Sequence, residues 1–175
     1  MVSRPNLVTE TATVHITLPA WVQADGAPMP AGATSGDHNI TISTNVISLD
    51  GNAPSSSTVT DISYAQVALG PEYVSGTNLT FRIAIKVDAA ADTNTVDLSA
   101  YEVNQTSGSV SSDICATAAQ NVTATATALD FTVTGADLEP GSLLTFKVTT
   151  VNQDADGSDG LASIFSTAVL MSVRG

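Results

Sequence analysis

Alternation of apolar and polar residues runs along most of the chain, with the two-residue period of strands that bury one face. In the clearest run, Leu79 to Val87, the odd-numbered residues are apolar, and Thr80, Arg82 and Lys86 lie on the opposite face. A sustained period of 3.6 residues, which would indicate helices, is absent. The pattern therefore predicts an all-β protein.

Comparable runs recur along the chain, separated by turns that contain glycine or proline. About eight or nine strands at this spacing predict an antiparallel β-sandwich, jelly-roll-like in arrangement. Between Ile40 and Leu49 the apolar positions change parity, which favours a β-bulge or a strand that crosses between sheets. In the alanine-rich segment Ala116–Ala128, threonines at alternate positions favour a strand over a helix.

The length of 175 residues fits one domain, which we assign to residues 11–175, preceded by an amino-terminal arm over residues 1–10. The arm, with Arg4 and Pro5, either docks on a neighbour or is a frayed end. The segment Pro19–His38 contains three prolines and three glycines and is expected to be an irregular, contact-forming loop. Within it Met29 and Trp21 are candidate partner-binding residues, and Trp21 is equally well explained as a core residue.

The chain is strongly acidic: five basic and seventeen acidic residues give a formal net charge of −12. Phosphate backbones and anionic membranes would repel such a chain, so neither nucleic acid nor a membrane is an expected partner. No apolar run approaches the length of a membrane span, and no signal peptide is recognisable. The acidity indicates solubility, or an outer surface that avoids polyanions.

Catalytic motifs are missing, and we expect no enzymatic activity. Of the two histidines, His15 lies on the polar face of a strand, and His38 follows Asp37, although adjacent strand residues point to opposite faces. Cys115 has no basic neighbour to activate it and is expected to be a small buried residue. A carboxylate pair built from distant residues stays an open alternative.

The best local cluster of possible ligands is the segment from Asn152 to Gly160, NQDADGSDG. Oxygen-bearing side chains at its first, third and fifth positions, followed by glycine, match the first half of a calcium loop. The candidate ligands are Asn152, Asp154, Asp156 and Asp159. Ser163 stands where such a loop has its bidentate glutamate, so a solvated hairpin loop is the alternative, and calcium is the only cofactor considered.

The carboxyl-terminal part of the chain predicts a turn and strand over Leu138–Thr149, an aspartate-rich loop, and a further strand over Ala168–Arg174. This pattern resembles the closing strands of small jelly-roll proteins on tailed-phage virions, namely head decoration (cement) proteins and fibre-associated domains. The resemblance implies a homotrimer on the capsid exterior, assembled in the host cytoplasm, that binds the major capsid protein and stabilises contacts between its subunits. The arm and the Pro19–His38 segment would then make the contact.

A second interpretation is a carbohydrate- or host-binding β-sandwich module of a phage fibre or a cell-surface protein. Sugar recognition often uses exposed aromatic rings, yet aromatic residues are only 5% of this chain. The discriminating observation is whether the tyrosines Tyr64, Tyr73 and Tyr101 share an exposed surface. A hydrolase on the same scaffold is a third alternative, without a nameable catalytic group.

Overall fold

The computed structural model describes residues 8–31, 37–43, 46–52, 58–88, 94–153 and 161–174. These residues form ten strands and one short 3₁₀ turn at Leu18–Ala20. The strands are β1 Thr9–Ile16, β2 Asn39–Ser43, β3 Val46–Asp50, β4 Thr58–Ala68, β5 Leu79–Val87, β6 Asn94–Val103, β7 Gln120–Val122, β8 Thr127–Val133, β9 Leu143–Gln153 and β10 Ala162–Arg174. Within the described part of the chain, no helix is long and apolar enough to cross a bilayer.

The strands pair into two antiparallel sheets that pack face to face. The first has the order β2-β3-β10-β5-β8, with β1 also paired to β10, and the second has the order β4-β9-β6-β7. Aromatic rings join the two sheets: the Phe81 ring on β5 lies 4.6 Å, centroid to centroid, from the Phe146 ring on β9. The predicted fold class, an all-β antiparallel sandwich, is confirmed.

Burial follows the predicted alternation most closely in β5. Its odd-numbered residues, from Leu79 to Val87, are at most 2% exposed and face the second sheet. Arg82 points the other way and makes a bidentate ion pair with Asp130 of β8, with both donor–acceptor distances 2.7 Å. A period of two in the sequence therefore corresponds directly to one core face and one solvent face.

Two regions differ from the sequence-based expectation. The parity change between Ile40 and Leu49 is neither a bulge nor a crossing strand, because β2 and β3 form an antiparallel pair with Ile42 opposite Ile47. The segment Ala116–Ala128 is not one strand: it contains β7, which pairs with β6, and the start of β8, which pairs with β5 in the other sheet. Both differences add strands to the eight or nine predicted.

The long strand β10 connects the parts of the first sheet. Its first half pairs with β3 and its second half with β1, while β5 lies along its other side. The register with β5 shifts between Ile164 and Ser166, which places a bulge at Phe165. At this bulge the pairing of β3 with β10 stops, because only Leu49 and Asp50 of β3 are in register with β10. β1 begins at Thr9, within the segment predicted as an arm.

Candidate functional site: a tyrosine surface on the four-stranded sheet

Two of the three tyrosines project from the same outer surface. In β4 and β6 the residues next to them, Ala65 and Ala100, both pair with Phe146 of β9 and are buried in the core. Because successive strand residues point to opposite faces, Tyr64 and Tyr101 face away from the core, and both are half-buried. We call this outer face of β4, β9 and β6 the tyrosine surface.

The tyrosines flank the central strand β9 diagonally. Tyr64 lies opposite Lys147, and Tyr101 lies opposite Thr145. Two strand spacings across and two residues along place their Cα atoms about 12 Å apart. Two tyrosines whose Cα atoms lie this far apart can contact different units of one elongated ligand.

Polar side chains fill the strip between the two rings. Gln66 donates from Nε2 to Thr145 Oγ1 over 3.1 Å, and both side chains keep further hydrogen-bonding capacity toward solvent. Lys147 stands between Tyr64 and Ser99 in the neighbouring cross-strand row. The strip therefore contains both donors and acceptors, with one formal positive charge.

A pocket of about 230 Å³ adjoins Tyr64, between β4 and the chain that follows the 3₁₀ turn. Val22 exchanges two backbone hydrogen bonds with Tyr64, of 2.8 and 2.9 Å, so this chain extends the sheet beyond β4. Ala20 and Val22 form the apolar side of the pocket, and Gln66 and Thr145 form the polar side. This chain therefore bounds the tyrosine surface on the β4 side.

The third tyrosine does not belong to this surface. Tyr73 is 1% exposed, and its hydroxyl donates to the Thr77 carbonyl oxygen. Sequence reasoning named the tyrosines but missed the polar partners Gln66, Thr145 and Lys147. Because Tyr64 and Gln66 are two residues apart in one strand, the sequence could have predicted that they share a face. No local sequence pattern predicts that β4 and β6 pair with opposite sides of β9.

The residues proposed as partner contacts occupy different places. Trp21 is 1% exposed: its ring packs edge-on against Phe81, and its indole N–H donates to Thr167 Oγ1 over 3.3 Å. Met29 is 8% exposed and belongs to the same core. Both side chains belong to the core and neither is exposed as an anchor, while a role of either in partner binding stays a prediction. Arg4 and Pro5 lie outside the described residues.

Of the proposed calcium ligands, only Asn152 lies within the described residues; Asp154, Asp156 and Asp159 lie outside them. Asn152 is fully buried, and its Nδ2 donates to Asp61 Oδ2 over 3.2 Å. Nowhere in the described ranges do three or more His, Cys, Asp or Glu side chains come together as a metal site. The calcium loop stays a prediction.

Asp61 fixes the chain that follows β3 to the second sheet. Its carboxylate accepts hydrogen bonds from the Asn52 backbone N–H, at 2.7 Å, from the Asn52 amide and from Asn152. Burial raises the pKa of Asp61, and these hydrogen bonds partly oppose the effect. The arrangement is that of a structural carboxylate whose oxygens are already occupied by donors.

The two histidines do not form a site together. His15 is exposed on β1, as predicted. His38 is fully buried, with Nε2 2.9 Å from Thr150 Oγ1, and its neighbour Asp37 accepts instead from the Ala24 backbone N–H. Burial lowers the pKa of His38 to about 4, against smaller raising effects of the Ile62 backbone and the Asp50 charge. His38 is therefore neutral at physiological pH.

The fold and the surface together define a β-sandwich domain whose four-stranded sheet carries tyrosines and polar side chains on its outer face. No protein-family model and no curated protein sequence matches this chain. Similar solved structures include a xylan-binding module, CBM15, with a TM-score of 0.49, 13% identity and coverage of 95% of this chain and 100% of that one. Another is the CBM22-1–GH10 portion of xylanase 10B from Clostridium thermocellum in complex with xylohexaose, with a TM-score of 0.48, 15% identity and 89% of this chain covered.

A third similar structure is that of infectious bursal disease virus, Gx strain, with a TM-score of 0.45, 10% identity and coverage of 100% of this chain and 36% of the viral one. This chain spans only 28% of the xylanase chain. Likenesses at this level do not decide what the domain binds.

Proposed function

We propose that this domain is a non-catalytic carbohydrate-binding module, and that the tyrosine surface holds an extended sugar chain. The observation that carries the proposal is the placement of Tyr64 and Tyr101 on opposite sides of β9, with a hydrogen-bonding strip between them. A phage fibre or a cell-surface protein that must hold a glycan is the setting in which such a module would serve.

The chemistry of a sugar chain matches this surface. The C–H face of a pyranose ring is apolar and carries partial positive charge, so it packs on the negative face of an aromatic ring. The hydroxyl groups at the rim of the sugar both donate and accept, which suits Gln66, Thr145 and Ser99. A tyrosine side chain has only two rotatable torsions and both tyrosines are half-buried, so little side-chain entropy is lost when a ligand packs against them.

The acidic composition agrees with a neutral ligand. With a net charge of −12, the domain would repel a polyanionic polysaccharide at low salt. Binding to an uncharged glycan does not depend on ion pairing and should change little with ionic strength. We therefore expect neutral polysaccharides among the ligands, and not sulfated or uronic-acid polymers.

The experiment is affinity electrophoresis of the purified chain in gels that contain xylan, barley β-glucan, galactan or glucomannan, followed by calorimetry with a soluble oligosaccharide of any polymer that retards it. Tyr64→Ala and Tyr101→Ala should each weaken binding about tenfold, because each removes one packed ring. Tyr64→Phe and Tyr101→Phe are matched controls that keep the ring and should retain most of the affinity.

Two results would contradict the proposal. The first is a protein that none of these polymers retards. The second is binding that both alanine variants leave unchanged, which would place the ligand elsewhere on the molecule. Tyr73→Phe, which alters a buried tyrosine away from the surface, should have no effect on binding and controls for general changes in stability.

One specific observation favours a second candidate, a virion decoration protein. Two apolar side chains that lie opposite each other near the end of the β2–β3 hairpin are exposed: Ile42 at 73% and Ile47 at 46%. Beside them lies a groove of about 340 Å³, to which Leu18 and Phe165 contribute. Clustered exposed apolar residues on a folded domain are typical of a protein contact, here with the major capsid protein or with other copies in a trimer.

Light scattering after size exclusion tests this candidate. A trimer that the double variant Ile42→Ser, Ile47→Ser converts to a monomer would support it. A wild-type protein that stays monomeric at every concentration reached would contradict self-assembly through this hairpin.

A further inference from the structure

A cleft of about 610 Å³ lies on the other sheet, on the outer face of the strands that carry the β2–β3 hairpin. Its floor is a row of three side chains at one level of the sheet, because Ser163 of β10 pairs with both Asp50 of β3 and Lys86 of β5. The adjacent residues of these strands are core residues, so the row faces outward. Ser48, Asp88 and Phe165 also line the cleft.

Asp50 is the unusual residue of this cleft. It is only 7% exposed, and its Oδ1 is buried without a hydrogen-bond partner among the described residues. A buried acceptor without a donor is destabilising, and such atoms are rare in folded proteins. Asp50 lines the cleft, although Oδ1 itself is closed to water, so a small rotation of the side chain would bring Oδ1 to a ligand donor in the cleft.

The charges around the cleft select the ligand. Lys86 Nζ lies 3.4 Å from Asp88 Oδ1 and 5.9 Å from the centre of the Phe165 ring. An anion would meet the carboxylates of Asp50 and Asp88, and a metal ion or an ammonium group would meet the Lys86 charge at short range. A neutral group with several hydroxyls can donate to both carboxylates and accept from the ammonium, so it is repelled by neither sign.

We propose that this cleft is a second ligand site, which binds a neutral, hydroxyl-rich group. Asp50 and Asp88 accept from its hydroxyls, Lys86 donates to them, and Phe165 contacts its apolar side. The site shares its ligand chemistry with the proposed function, but the argument for it does not use the tyrosines. The ligand is either a free sugar or polyol, or the end of a glycan chain.

The test is a titration of the ¹⁵N-labelled chain with glucose, galactose, mannose, xylose and glycerol, and then with β-1,4-linked trisaccharides of the same sugars. Amide shifts should concentrate at Ser48, Ser163 and their neighbours. Asp50→Asn should weaken binding about tenfold or more, because a charge-assisted hydrogen bond is lost. Asp130→Asn is the matched control, since Asp130 lies on the same face of the sheet outside the cleft, and it should leave affinity unchanged.

Free sugars that bind as well as the trisaccharides indicate a free ligand, and stronger binding of the trisaccharides indicates a chain end; both support the site. Absence of shifts with every probe, shifts confined to other surfaces, or equal affinities for Asp50→Asn and Asp130→Asn would overturn it. If Asp50→Asn does not fold, Lys86→Met, which changes a partly exposed side chain, replaces it with the same expectation. Tyr64→Ala should not alter cleft binding, so failure of the tyrosine surface and failure of the cleft are distinguishable.

Discussion

Acid should destabilise this domain, and His38 is the group whose contribution falls between pH 7 and pH 4. The side chain is 0% exposed, and its pKa falls from 6.5 to about 4 because burial disfavours the charged imidazolium. The unfolded chain binds a proton at His38 below pH 6.5, whereas the folded chain does so only near pH 4. Stability from this group is therefore fully present above pH 6.5 and is lost as the pH falls toward 4.

The size of the effect follows from the two pKa values. Integration of proton binding between them gives a loss in the free energy of unfolding of roughly 2 kcal/mol at pH 5 and roughly 3 kcal/mol at pH 4, relative to pH 7. Asp61 acts in the opposite direction, because its raised pKa means that protonation favours the folded state at low pH. A comparison of variants is needed to separate the two groups.

Urea unfolding between pH 7 and pH 4.5 measures the effect, with fluorescence of the single tryptophan, buried Trp21, as the signal. His38→Gln keeps a polar side chain near Thr150 but cannot titrate, so it should lose the His38 component of the pH dependence while Asp61 still contributes. A wild-type protein and a His38→Gln variant with parallel pH profiles would refute the reasoning. An NMR titration that gives His38 a pKa above 6 would do the same.

Three further predictions concern the core, a turn and the cysteine. Phe81→Ala removes a fully buried ring that contacts two other aromatic rings, and it should lower the free energy of unfolding by about 3–5 kcal/mol in urea titrations. Gly135→Ala should destabilise more than Gly26→Ala, because at Gly135 the added Cβ would collide with the Thr77 carbonyl oxygen, whereas at Gly26 it meets open space and only the φ of +83° opposes it; equal melting temperatures would contradict this. Burial raises the pKa of the Cys115 thiol, so alkylation by iodoacetamide at neutral pH should be slow in the folded protein and rapid in urea.

The alternation of apolar and polar residues was sufficient to predict the strands that bury one face and expose the other. Leu79 to Val87 is the clearest case, because one face lies in the core and the other carries the Arg82–Asp130 ion pair. The pattern misled where two strands followed each other closely: Ile42 and Ile47 lie opposite each other in a hairpin, yet in sequence they look like one strand with a change of phase. The segment Ala116–Ala128 misled for a related reason, since its two strands belong to different sheets.

The candidate sites depend on long-range pairing, which the sequence does not display. Tyr64 and Tyr101 become neighbours only because β9 lies between their strands. In the same way, Asp50, Lys86 and Ser163 form a cleft floor only because β10 separates β3 from β5. Asp61 faces the core in a position where alternation would call for an apolar side chain, and it is accommodated because Asn52 and Asn152 supply its donors.

The position of β10 has a consequence for how the domain is made. β10 is the last of the ten strands in the described part of the chain, yet it lies inside the first sheet and pairs with β1, β3 and β5. During synthesis, β1 leaves the ribosome long before its partner exists, so its hydrogen-bonding edge stays unpaired while most of the domain is translated. Closure of this sheet awaits β10, and pairing across so long a separation in sequence is slow. The nascent domain therefore exposes an unpaired strand edge until β10 emerges.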